Sequence, residues 1–154
     1  IYYAGLLHDI GYVGVKNKRL MREAGISDAP LSAPETTARF LTNYEEQHVL
    51  MSVYMLEGIT IFQGAIPMIR HHHENFDGSG FPDKLAGEKI PLGARILRIV
   101  EGMEELRING GLRGEELRSA ARREAKNGSG KLFDPKVVRA FIDMLEQEDK
   151  IWEL

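Results

Sequence analysis

Hydrophobic positions along the chain recur mostly at three- and four-residue intervals, and strict alternation is scarce, so the pattern predicts helices and an all-α fold. An apolar segment opens the chain with Ile1, Tyr2, Tyr3, Leu6 and Leu7. Gly11 is expected to end it, because glycine accepts the left-handed conformation at a helix C-terminus. A polar stretch from Val15 to Ala33 reads as loop, with room for a short turn between Arg19 and Ala24. Ser32, Pro34 and Glu35 make a helix start in which Ser32 and Glu35 form a capping box. The helix predicted there carries Phe40, Leu41, Tyr44, His48 and Met51 towards Leu56, and Gly58 breaks it. A second helical run spans Ile59 to Glu74, with Pro67 kinking it or marking a fresh start. Asn75 to Gly87 is a loop centred on Asp77-Gly78-Ser79-Gly80-Phe81-Pro82. Pro91 opens a helix whose apolar face is Leu92, Ile96, Ile99, Met103 and Leu106, closed by Asn109-Gly110-Gly111. A charged helix from Gly114 to Lys126 and a linker, Asn127 to Gly130, follow. Asp134-Pro135 then caps a last helix with Val138, Phe141, Ile142 and Leu145 on its apolar face.

Composition narrows the function. A chain of 154 residues fits one domain with a real core, and a formal net charge of -3 argues against a nucleic-acid surface, so no DNA partner is expected. There is no cysteine, which excludes disulfides and thiolate metal sites and leaves imidazole and carboxylate as metal ligands. The same absence accords with a reducing, cytoplasmic setting. No apolar run approaches the roughly 20 residues that cross a bilayer, so no membrane contact is expected from this segment. The chain starts at Ile1 inside an apolar helix, which reads as a piece of a longer protein.

Four of the five histidines lie beside another ionisable group. His8-Asp9 stands at the end of one apolar helix, and His71-His72-His73-Glu74 at the end of another, just before the glycine-rich loop. Adjacent helical residues project about 100° apart, so neighbouring histidines reach one ion only near a helix end, where both pairs stand. Imidazoles with a carboxylate suit a divalent cation, and an aspartate directly after Leu6-Leu7-His8 is costly without one. His48 by itself reads as a hydrogen-bonded core residue. Glu74 and Asp77 read as groups that orient the histidines or fix the loop.

Ala4-Gly5-Leu6-Leu7-His8-Asp9-Ile10-Gly11 resembles the signature of the HD superfamily of metal-dependent phosphohydrolases. His72-His73-Glu74-Asn75-Phe76-Asp77-Gly78-Ser79-Gly80-Phe81-Pro82 resembles the second signature of its HD-GYP branch, and Leu92-Gly93-Ala94-Arg95-Ile96-Leu97 and Phe133-Asp134-Pro135 follow in the right order. The resemblance covers essentially the whole chain. It implies an HD-type bundle of about six to seven helices around a metal cluster. It implies a cyclic di-GMP phosphodiesterase with two or three divalent ions, iron or manganese, acting through a metal-bridging hydroxide. The metal ligands it implies are His8, Asp9, His48, His72, His73 and Glu101, with Asp9 bridging and His71 left out. A further ligand histidine belongs to a helix ahead of Ile1. The family's glycine-rich loop, here Asp77 to Pro82, is implicated in contacts with partner signalling domains.

The substrate side departs from the family. Tyr12 stands where a lysine usually faces the scissile phosphate, and is the candidate for that role. Phe81 replaces the motif's tyrosine. Gly110-Gly111-Leu112-Arg113 falls where Arg-Pro-Tyr-Arg is common, leaving Arg113 as the candidate phosphate contact. These losses define an alternative: a degenerate HD-GYP module that keeps the metal cluster and binds a nucleotide or a partner domain without turnover.

Overall fold

The computed structural model describes residues 1–26 and 44–152, with side chains for 1–26 and 45–147. The expectations for Ser32, Pro34, Glu35, Phe40 and Leu41, and for the side chain of Tyr44, lie outside these residues. Among the described residues all regular structure is helical, apart from one isolated bridge between Ser129 and Phe133. The chain divides into two compact units, and the boundary is the peptide between His72 and His73.

The first unit holds α1 (Tyr2–Leu7), α2 (Gly11–Gly14), α3 (Lys18–Glu23), α4 (Tyr44–Leu56), a 3-10 turn (Thr60–Phe62) and α5 (Ile66–Arg70). Gly11 starts α2 instead of ending α1, which stops at Leu7 with His8 as its cap. The reason is proximity. A Cβ on Gly11 would lie 2.0 Å from the His48 carbonyl oxygen and 2.6 Å from the Ser52 nitrogen, so α2 touches the backbone of α4 there. Gly14, one turn on, meets the Met51 side chain in the same way, and Val15, Met21 and Met51 form the apolar core beneath. The stretch read as loop contains a helix because Asn17 caps it, its Oδ1 accepting from the Arg19 and Leu20 amides at 3.1 Å each. Pro67 marks a fresh start, in the first turn of α5.

The second unit holds a 3-10 turn (Gly87–Lys89), α6 (Leu92–Ile108), α7 (Gly114–Gly128) and α8 (Pro135–Trp152). Its core is Ile99, Ala125, Phe133, Val137 and Val138, with Ile96, Met103, Phe141 and Ile142 packed against it. Leu92, expected on the apolar face, is exposed, because the residue opens the helix before the core begins. Phe133 is the centre of this unit. Its ring lies against Gly128 of α7 and Gly102 of α6, where added Cβ atoms would come within 2.6 Å and 3.2 Å. The next residue, Asp134, is buried; it accepts the Lys136 amide at 2.7 Å to cap α8 and pairs with the Arg95 guanidinium of α6. Arg95 also donates through Nε to the Ile90 carbonyl at 2.8 Å, so one guanidinium ties the starts of α6 and α8 together.

Candidate metal centre

The first unit gathers three histidines around one carboxylate. His8 caps α1, Asp9 follows it, His48 lies in α4, and His72 lies just after α5. His48 Nε2 is 3.2 Å and His72 Nε2 3.8 Å from Asp9 Oδ1, while His8 Nε2 is 3.4 Å from Asp9 Oδ2. His48 Nε2 and His72 Nε2 are 3.3 Å apart. His48 and His72 are wholly buried, whereas Asp9 is 48% exposed, so the cluster has a dry floor and an open rim.

The ring tautomers follow from the backbone. His72 Nδ1 lies 2.6 Å from the Ile69 carbonyl and His8 Nδ1 lies 3.0 Å from the Gly5 carbonyl. A carbonyl oxygen only accepts, so Nδ1 donates in both, and in the neutral ring the lone pair sits on Nε2, facing Asp9. Burial holds the His72 pKa down, to about 4, helped by the charges of His8 and His48 and opposed by the Ile69 carbonyl and Asp9. His72 is therefore neutral at physiological pH, the form that ligates a cation. Burial pushes the Asp9 carboxyl up, but the hydrogen bond to His48 and the charges of His8, His48 and His72 outweigh it and hold the group below its ordinary value. Inward-facing imidazole lone pairs with an anionic carboxylate between them suit a divalent cation, and backbone carbonyls orient two of the rings as metal-binding histidines require.

Ser52 fixes this arrangement, and the sequence reading had no place for it. It lies one turn beyond His48 on α4, wholly buried; its hydroxyl donates to the His8 carbonyl at 2.7 Å and accepts the Gly11 amide at 2.9 Å. The only available signal was a small polar residue four positions after a histidine in an apolar helix. Ser52→Ala leaves a buried carbonyl and a buried amide without partners. Each costs about 1–3 kcal/mol, so a loss of about 2–4 kcal/mol is expected in chemical denaturation.

Tyr12, the candidate phosphate contact, stacks on His48 with ring centroids 4.1 Å apart and planes 12° apart, and its hydroxyl donates to Glu45 at 3.1 Å. It flanks the cluster on the His48 side. His71 places Nδ1 2.7 Å from the Pro67 carbonyl, outside the four-residue cluster.

In the second unit His73 and Glu101 are brought together, Nε2 to Oε1 at 3.3 Å. Phe81 stacks on the His73 ring with centroids 4.8 Å apart, so the lost hydroxyl leaves the packing role intact. Arg98 lies 3.7 Å from the other Glu101 oxygen and donates through Nε to Asn75 at 3.1 Å. Glu74 is buried, and its Oε1 accepts the Asp83 amide at 2.8 Å, which bears out its reading as a loop-fixing group. Asp77 does the same locally through the Ser79 amide at 2.9 Å. The loop is only partly exposed. Gly80 is buried, and a Cβ there would lie 2.3 Å from the Asn75 nitrogen and 2.5 Å from the His73 carbonyl oxygen. Arg113 donates through Nη1 to the Arg107 and Leu112 carbonyls at 2.8 Å and 2.7 Å, closing the end of α6. Gly110 has no space for a side chain, since a Cβ would sit 2.6 Å from the Leu106 carbonyl oxygen.

The model of the HD domain family matches residues 1–137. The chain belongs to the HD domain family. Its relatives place this HD domain in the HD-GYP branch. A cyclic di-GMP phosphodiesterase of Vibrio cholerae is 28% identical, with 96% of this chain and 29% of the relative aligned. The cyclic di-GMP phosphodiesterase response regulator RpfG of Xanthomonas campestris is 29% identical over 98% of this chain and 38% of its own length. A 3'3'-cGAMP-specific phosphodiesterase of Vibrio cholerae is 28% identical over 91% of this chain and 25% of its own. The HD domain thus spans between 25% and 38% of the length of these relatives. Among its described residues no helix is long and apolar enough to cross a membrane.

Proposed function

We propose that this HD domain is the hydrolytic part of a cytoplasmic cyclic dinucleotide phosphodiesterase, with cyclic di-GMP as substrate and iron or manganese, two or three ions, as cofactor. The observation that carries the reading is the convergence of His8, His48 and His72 on Asp9, with the His8 and His72 lone pairs directed inward. The family resemblance assigns His73 and Glu101 to the same ligand set. Bound there, divalent cations supply Lewis-acid stabilisation of charge on a phosphoryl group and activate water as nucleophile.

The chain's own residues prepare that chemistry. Asp9 stays anionic and its exposed edge faces solvent, where a phosphodiester arrives. His48 and His72 form an apolar-backed floor from which bulk water is excluded. Ser52 and Gly11 lock the His8-Asp9 peptide to the helix that carries His48. Tyr12 walls one side, and its hydroxyl, which donates to Glu45, is a side-chain donor that can rotate towards a phosphate oxygen. No protein nucleophile is needed.

The test is turnover. The intact protein, loaded anaerobically with iron(II) or with manganese(II), is expected to convert cyclic di-GMP to its linear dinucleotide, and a chelator is expected to stop it. No hydrolysis with either metal would overturn the reading. Two observations favour a second reading, a module that binds without turnover. Tyr12 gives no cation, and the backbone at Gly110 excludes the arginine that the family carries there. Nucleotide binding without hydrolysis in the same assay selects it.

A further inference from the structure

A cavity of about 320 Å³ opens in the second unit between α6 and α7, and the turn before α8 closes its end. Arg98, Met103, Glu105, Leu106, Gly110 and Phe133 are among its lining residues, with Glu124 on the α7 side. No assignment made above covers it.

Its geometry comes from α6. Arg98, Gly102, Glu105 and Asn109 lie three or four residues apart, so they form one stripe along the helix. The stripe is polarised. At one end the Arg98 guanidinium stands 5.8 Å over the Phe133 ring, held through Nε by Asn75 and close to Glu101. Two turns on, about 10 Å along the axis, is the exposed carboxylate of Glu105. Met103, Leu106 and Phe133 make the wall between them apolar. Two glycines keep it open: Gly102 puts no side chain between α6 and the Phe133 ring, and Gly110 accepts none.

A cation at one end, an apolar wall, and a carboxylate at the other match the parts of a purine nucleotide. Arginine binds phosphate through its planar fork. The carboxylate decides which base. Guanine alone among the common bases presents two neighbouring donors on one edge, the ring N1–H and the exocyclic amine, and a carboxylate accepts both at once. Adenine offers a donor beside an acceptor and leaves one carboxylate oxygen opposed by a lone pair. The volume lies at the lower end of the range of about 300–1,000 Å³ for small-molecule sites, which suits one nucleotide unit and not a whole cyclic dinucleotide.

We infer that this cavity is a guanine-nucleotide subsite in which Glu105 reads the base and Arg98 holds phosphate. That its occupant is one half of the substrate, or the released product, rests on the phosphodiesterase reading; the binding itself does not. The base shared by the substrates of the relatives named above, cyclic di-GMP and 3'3'-cGAMP, is guanine.

Calorimetry on the intact protein in chelator, so that nothing turns over, tests it with GMP, IMP and AMP. GMP is expected to bind at least tenfold tighter than IMP, which lacks the exocyclic amine, and than AMP. Glu105→Gln is expected to bring the GMP-to-IMP ratio close to one while the melting temperature stays unchanged, since Glu105 is exposed. Arg98→Gln is expected to weaken all three nucleotides together. Equal binding of GMP and AMP, or a GMP preference that survives Glu105→Gln, overturns the inference. Cyclic di-GMP turnover on metal-loaded protein is read separately. Its absence beside an intact GMP preference removes the phosphodiesterase reading alone, and its presence without any GMP preference removes the subsite alone.

Discussion

Asp9→Asn is expected to empty the metal centre while leaving the fold in place. Asp9 is the one group that the three clustered histidines, His8, His48 and His72, all approach, within 3.2–3.8 Å, and the one negative charge among them. The asparagine variant keeps the shape, loses the charge, and turns one oxygen into an N–H donor aimed at lone pairs. Removing a residue that merely orients a metal-bound histidine typically costs about 10–100-fold in metal affinity or activity, so the loss of a direct ligand is expected to reach at least about 100-fold. Asp9 is half exposed and is not part of the apolar core, so thermal unfolding should move little. Metal content after gel filtration, measured beside the melting curve, reads both quantities. Wild-type metal content in the variant would end the assignment of Asp9 as a ligand.

The second large effect concerns stability. Asp134→Ala strands the half-buried Arg95 guanidinium and uncaps α8 in one change. Breaking a buried pair by deleting one partner costs about 3–5 kcal/mol, and loss of a cap about 1 kcal/mol, with the two not fully additive. A destabilisation of about 4 kcal/mol corresponds to a fall of roughly 10 °C in Tm for a chain of this size. Asp134→Asn is expected to lose less, because its remaining oxygen still caps the Lys136 amide. Urea denaturation separates the cases, and an alanine variant within about 1 kcal/mol of wild type would show that Arg95 finds other partners.

Local signals and contacts across the chain were unequally legible. His8-Asp9 and His72-His73 stood out because paired ionisable residues at apolar helix ends need a physical reason, and His48 needed the family resemblance beside it. The helices of the second unit were equally plain, since their apolar spacing is regular and Asp134-Pro135 is a strong cap. Gly11 was misread because its requirement is not conformational. It is glycine for want of space against the His48 carbonyl, a contact 37 residues distant in the chain. Ser52 was invisible for the same reason, as its two partners, His8 and Gly11, lie more than 40 residues upstream. The helix Lys18–Glu23 was legible only as room for a short turn between Arg19 and Ala24, because a single asparagine cap outweighs a polar composition.

The crowding at Gly110 has a consequence for anyone wishing to restore the arginine that HD-GYP relatives commonly carry there. The substitution is not a one-letter repair. With the Leu106 carbonyl 2.6 Å from where the new Cβ must go, and Gly111 beside it at φ +66°, the turn after α6 is built around glycine at both positions. Engineering towards the common substrate grip would therefore begin with a different loop between Asn109 and Arg113, and only then with a different side chain.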